Sequence, residues 1–142
     1  ITDLSELPTS DIYIDGELAN VSYYLGNNVS TSNNFKHPAN AFIEGQPVGL
    51  FWGYQTNGIY TSQEAADAGP TFEGSENFAG DVIFVDLNGD GNVNGDDLTN
   101  IGDPNADFAY GINSYLTLGN FSLDMLFTGV YGNDILNGNL LL

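Results

Sequence analysis

Hydrophobic and polar positions alternate most regularly near the end of the chain. From Phe108 to Leu118 the even positions are Phe108, Tyr110, Ile112, Ser114, Leu116 and Leu118, and the odd positions between them are mostly small or polar. After Gly119–Asn120 the same alternation resumes, with Phe121, Leu123, Met125, Phe127, Gly129 and Tyr131 set against Ser122, Asp124, Leu126, Thr128 and Val130. A period of two puts alternate side chains on opposite faces of a strand, and Gly-Asn suits a two-residue hairpin turn. The pattern predicts a long antiparallel hairpin over residues 107–131 with one largely apolar face. Strands of soluble proteins cluster at about 5–6 residues, whereas a membrane-crossing strand needs about 9–11. Length therefore favours a hairpin from a transmembrane β-barrel over one from a soluble sandwich. In such barrels the short turns are periplasmic and the long loops extracellular.

Elsewhere the strand signals are shorter and broken by Gly and Asn every few residues. Asp11–Ile14 and Val21–Leu25 read as strands, with Asp15–Gly16 a hairpin turn between them. Residues 27–40, "NNVSTSNNFKHPAN", read as a polar loop. Leu50–Tyr54 and Asp81–Val85 are further strands. Helical signals are confined to Ser62–Ala68, where a serine stands at the N-cap, and to a turn near Asp97–Asn100. The expected class is all-β, a fragment of a transmembrane β-barrel with a large loop region of short strands. Residues 1–106 form the extracellular loop region, 107–132 the barrel hairpin, and 133–142 the start of the next loop.

Charge sharpens this picture. The formal net charge is −18, with Lys36 the only basic residue other than one histidine. Such a chain repels phosphate backbones and anionic headgroups, so a basic nucleic-acid interface is excluded, while cation binding is favoured. There is no cysteine, so disulfides and thiolate metal sites are ruled out. Ile1 opens the chain and no signal-peptide pattern follows, as expected of an excised piece of something longer. No apolar run reaches the roughly 18 residues of a membrane helix, which leaves a strand-built membrane protein open.

The densest chemistry is "DLNGDGNVNGDD", residues 86–97, which carries four acids, three asparagines and three glycines. It matches a twelve-position calcium loop. Asp86, Asn88 and Asp90 take the first, third and fifth places, Gly91 the sharp turn, and Asn92 the place that binds through its backbone carbonyl. Val93 points into the fold, Asn94 acts through water, and Asp97 closes the loop. Three carboxylates, Asp86, Asp90 and Asp97, leave a net charge of −1 around Ca²⁺ and repel one another without it. Asp, Asn and Gly are also ordinary turn residues, and a solvated turn is the alternative. The β-branched and aromatic "DVIFV" in front brings a strand into the loop. That favours a structural staple over a helix-opening switch.

Other candidates are weaker. His37 has no catalytic partner pattern, and Glu17, Glu44, Glu64, Glu73 and Glu76 show no spacing that selects an acid–base pair. Asn28–Val29–Ser30 matches a glycosylation sequon. Phe51, Trp52, Tyr54 and Tyr60 offer faces for stacking sugars, with buried packing as their ordinary use. "GNDILNG" lacks the lysine of a phosphate loop. No catalytic residue is expected.

Three stretches together resemble the SusC/RagA-like TonB-linked outer-membrane transporters of Bacteroidetes: "EGQPVGLFWGYQTNGIY" (Glu44–Tyr60), "GDVIFVDLNGDGNVNGDDLTNIGDPNADFAYG" (Gly80–Gly111) and "NFSLDMLFTGVYGNDI" (Asn120–Ile135). Ala106 departs from the family's usual proline, and "ITDL" at the start looks like the end of a preceding barrel strand. A whole member is several times longer and adds a plug and most of the barrel. The resemblance implies import of oligosaccharides or peptides with energy from TonB, under a SusD-like surface lipoprotein. It places this chain in the cell outer membrane as barrel strands and calcium-stapled loops, in a transporter and not an enzyme. The competing expectation is a free-standing secreted calcium-binding β module for adhesion or scaffold assembly.

Overall fold

The computed structural model of the chain describes residues 3–29 and 37–137. In chain order the strands are β1 (Thr9–Ile14), β2 (Glu17–Leu25), β3 (Asn28–Val29), β4 (His37–Pro38), β5 (Asn40–Ile43), β6 (Leu50–Tyr54) and β7 (Thr56–Ile59). After the short helix α1 (Gln63–Asp67) come β8 (Thr71–Phe72), β9 (Val82–Phe84), β10 (Asn92–Val93), β11 (Leu98–Gly102), β12 (Phe108–Leu118) and β13 (Phe121–Tyr131). A single 3₁₀ turn, Gly95–Asp97, precedes β11. The fold is all-β.

Five strands make the principal sheet, in the order β1-β2-β5-β6-β11. The β1–β2 hairpin turns at Asp15 and Gly16, whose φ values of 52° and 79° are the left-handed pair that an Asp-Gly turn supplies cheaply. Ile12, Ala41, Ile43, Leu50, Trp52 and Leu98 pack as the core beneath it. The sheet rolls until its two edges meet. There the Thr99 hydroxyl donates to the Tyr13 carbonyl at 3.1 Å, and the Asp15 N–H donates to the Asn100 side-chain oxygen at 2.6 Å.

Several elements differ from expectation. The helix-like turn near Asp97–Asn100 is instead the 3₁₀ turn Gly95–Asp97 followed by strand, because Leu98 and Thr99 bury themselves beside β6. Part of the polar loop 27–40 is also ordered strand. Asn28–Val29 pairs with His37–Pro38, and Asn40 opens β5 at the centre of the sheet, while residues 30–36 lie outside the described residues. At the start of the chain, Asp3 and Leu4 are not in a strand, and Ile1 and Thr2 lie outside the described residues.

The expected hairpin is present in full. β12 and β13 pair through eleven residue pairs from Phe108↔Tyr131 to Leu118↔Phe121. They turn at Gly119, with φ 62°, the glycine-first arrangement of a II′ turn. No helix among the described residues is long and apolar enough to cross a membrane.

Candidate functional site

The acidic loop is shaped by its own side chains. Asp86 accepts the Gly89 N–H at 2.7 Å and the Gly91 N–H at 2.8 Å through its two carboxylate oxygens. Asn88 accepts from the Asp90 N–H, Asp90 from the Asn92 N–H and Asn94 from the Asp96 N–H, each at 2.8 Å. Short Asx side chains reach backbone N–H groups two residues on, so each bends the chain by one turn. Gly89 and Gly91, with φ values of 75° and 85°, take the conformations that a side chain would resist.

Asp97 closes the loop from inside. It is fully buried, at 0% exposure, and accepts N–H bonds from Leu87 at 2.9 Å, Asn88 at 3.2 Å and Asn94 at 2.9 Å. The loop is also moored to its neighbours. Val93 is buried, and the Asn92 side-chain oxygen accepts from the Thr71 hydroxyl at 2.9 Å and the Gly74 N–H at 2.8 Å. Beside it the rings of Tyr54, Phe72 and Phe84 pack with centroids 4.6–5.6 Å apart. Burial first, then Glu73 and Asp97, push the Tyr54 phenol from its ordinary value of 10.0 up to about 12.

The donor set suits a hard cation. It consists of carboxylate, amide and carbonyl oxygens, and an ionised carboxylate has about four lone-pair sites. Asp86 spends two of these on backbone N–H groups and Asp97 three. The Asn92 carbonyl, expected as a ligand, accepts the Asn94 side-chain amide at 3.1 Å and keeps a second lone pair. Among the described residues no three His, Cys, Asp or Glu side chains are grouped to hold a metal ion. A cage here would therefore draw on the amide and backbone oxygens as well as the carboxylates.

The other candidates resolve as packing. Trp52 and Tyr60 are buried, at 6% and 5% exposure, and offer no stacking platform. The Glu44 carboxylate accepts the Leu4 N–H. The Asn28 and His37 backbones pair in a short ladder, and Ser30 of the sequon lies outside the described residues. A cleft of about 830 Å³ opens beside β11, where Asp15, Gln46, Gln55, Thr56 and Asn100 present amides, hydroxyls and carboxylates, with no cationic group. It suits uncharged hydrogen-bonding ligands and repels anions. The sequence reading missed this cleft because its walls come from four separated segments.

The hairpin is the other functional surface. Residues paired across two strands share a face. One face therefore carries Phe108, Tyr110, Ile112, Leu116, Leu118, Phe121, Leu123, Met125, Phe127 and Tyr131, interrupted only by Ser114 and Gly129. The Tyr110 ring covers Gly129, where an added Cβ would lie 2.6 Å from its Cζ. The opposite face carries Asn113, Thr117, Ser122, Asp124 and Thr128 among smaller and apolar residues. Every β12 residue is exposed, as is every β13 residue except Gly129. Eleven residues span roughly 35 Å, or about 25 Å when tilted by 45°, the height of the apolar band of an outer-membrane barrel.

The chain is similar to known TonB-dependent receptors. TonB-dependent receptor P3 of Formosa agariphila is 36% identical over 98 residues, 69% of this chain and 10% of its own length. TonB-dependent receptors P26 and P39 of the same organism are 32% and 28% identical over 95 and 125 residues, covering 9% and 12% of their lengths. No family model matches. The chain thus spans only about a tenth of the curated relatives it matches. Identity of 36% to one such receptor over more than two thirds of the chain, joined by two further receptors of the same kind, places this chain in the TonB-dependent receptor family.

Proposed function

We propose that the chain is the loop-and-hairpin section of a SusC/RagA-like transporter of the cell outer membrane. In this reading the whole protein imports oligosaccharides or peptides with energy from TonB, beneath a SusD-like surface lipoprotein, and catalyses no reaction. The observation that carries the proposal is the hairpin. It has an apolar face long enough to span a bilayer, and nothing else among the described residues covers that face. Lipid solvates such a face at no cost, whereas water does not. The cleft beside β11, lined by amides, hydroxyls and carboxylates and by no cationic group, is consistent with sugar hydroxyls or peptide amides as ligands.

Calcium belongs to the same proposal. Asp86, Asn88, Asp90, the Asn92 carbonyl and Asp97 would hold it as a structural staple of an extracellular loop. A free-standing secreted module would account for the rolled sheet with its own core. It would leave the apolar hairpin face in water, so it is the weaker reading.

Single cysteines along the hairpin of the full-length receptor test the proposal in intact cells. Positions 113, 117 and 122 should react with a membrane-impermeant thiol reagent, whereas 112, 116 and 127 should be protected. Equal reactivity on both faces would sink the barrel assignment.

A further inference from the structure

We infer that the turn Glu44–Gly49 is a mooring that fixes the rolled sheet relative to the hairpin by tying the segments between them, so that the sheet is a rigid wall and not a hinged lid. The inference rests on the outer-membrane reading only for the hairpin's place in the bilayer.

Three stretches of chain meet beside this turn: residues 4–7 lead into β1, residues 103–107 join β11 to β12, and residues 132–134 leave β13. The first two are bonded to the turn itself, and the third to the second. The Leu4 N–H donates to the Glu44 carboxylate, and the Leu7 carbonyl accepts the Ser22 hydroxyl at 2.8 Å. On the second stretch, the Asn105 side-chain amide donates to the Val48 carbonyl at 2.9 Å. Asp103 accepts the Asn105 backbone N–H at 2.8 Å and its side-chain amide at 2.7 Å, and so sets that side chain's direction. The third stretch is bound to the second. The Asp103 N–H donates to the Asp134 carboxylate at 2.9 Å, and the Asp134 N–H returns to the Asp103 carbonyl at 2.7 Å.

The turn itself is anchored in the core. Ile43 and Leu50, immediately on either side, are 0% and 3% exposed. Gly45 and Gly49 hold φ values of 77° and 76° that only glycine adopts without strain. Where β11 leaves the sheet, a Cβ on Gly102 would lie 2.9 Å from an Asp134 oxygen and 3.1 Å from the Phe51 ring, so the crossing segments touch. A hinge needs connecting residues that can change φ and ψ without losing partners. Here Leu4, Asp103, Asn105 and Asp134 would each lose one.

The test places two spin labels on the full-length receptor in lipid, in a background free of other reactive cysteines. One label sits at Glu17→Cys on β2 and the other at Asn120→Cys in the hairpin turn, both exposed positions. Pulsed electron resonance should give one narrow distance distribution. Glu44→Ala combined with Asn105→Ala should broaden it, while Glu44→Gln, which keeps an oxygen for the Leu4 N–H, should leave it narrow. A broad distribution in the background protein, or an equally narrow one in the double alanine variant, would overturn the inference. Because the distance does not depend on uptake, a narrow distribution in a receptor that transports nothing would count against the proposed function alone.

Discussion

All the buried apolar side chains among the described residues lie between Ile12 and Leu98, and none lies in β12 or β13. Yet the hairpin is the more regular of the two regions, with eleven unbroken pairs against strands of four to nine residues in the rolled sheet. The rolled sheet is stabilised by burying its own inner face, so its strands can be short and irregular as long as they close around Trp52 and Ile43. The hairpin has no inner face in this chain. Its apolar side chains make their contribution only when something outside these residues covers them. The difference shows that the same alternation of apolar and polar residues serves two solvents. What separates them is whether the apolar side finds a partner within the chain.

The largest effect that would break this contrast is a cavity. Ile43→Ala in the rolled sheet should cost about 2–5 kcal/mol, because a fully buried side chain leaves a void the sheet cannot close. Ile112→Ala, which truncates a hairpin residue 59% exposed, should leave stability in buffer unchanged. Urea unfolding followed by fluorescence of the single tryptophan would compare them. Equal losses would mean that the hairpin is packed after all.

The acidic loop sharpens the comparison from inside the rolled region. Asp97→Ala strands three backbone N–H donors in a buried place and should cost roughly 3 kcal/mol even without calcium. Asp90 is exposed and accepts a single N–H, so Asp90→Ala should cost about 1 kcal/mol. Millimolar calcium should raise the urea midpoint of the unaltered chain and leave that of Asp90→Ala unmoved. A midpoint that responds equally in both would remove Asp90 from the cation site.

The last effect lies at Tyr54 and is confined to alkaline pH. Its phenol is held near 12 in the fold against 10.0 ordinarily, so the folded state keeps its proton longer than the unfolded one. The stability this contributes is complete below pH 10 and is lost as pH rises toward 12. Ultraviolet titration against Tyr54→Phe should show the missing ionisation near 12, apart from the other tyrosines.

Several elements were legible in the residues because their signals are local. Asp15–Gly16 makes a left-handed turn, Ser62 caps α1 by accepting the Ala65 N–H at 3.2 Å, and the alternation over 108–131 spells out the hairpin. β5 and β11 were not legible. Asn40 ends a polar run, and Leu98–Thr99 follows a helical turn, so neither announces a strand. Both are strands because β6 lies between them and takes their hydrogen bonds. The candidate loop divides along the same line. Asx residues at alternate places are visible in sequence, but the sequence does not show that Asp97 turns inward while Asn92 is tied to Thr71 and Gly74.

The all-β class, the position and two faces of the hairpin, and an oxygen-rich loop between Asp86 and Asp97 can be read from the residues alone. Each of these follows from spacing within a single stretch of chain. Folding alone shows that the sheet rolls until Thr99 reaches Tyr13, that Asp97 is enclosed, and that Glu44 holds Leu4, Asn105 holds Val48 and Asp134 holds Asp103. Those contacts join residues that stand tens of positions apart. They form when burial of a shared core brings the segments together, and no local pattern records it.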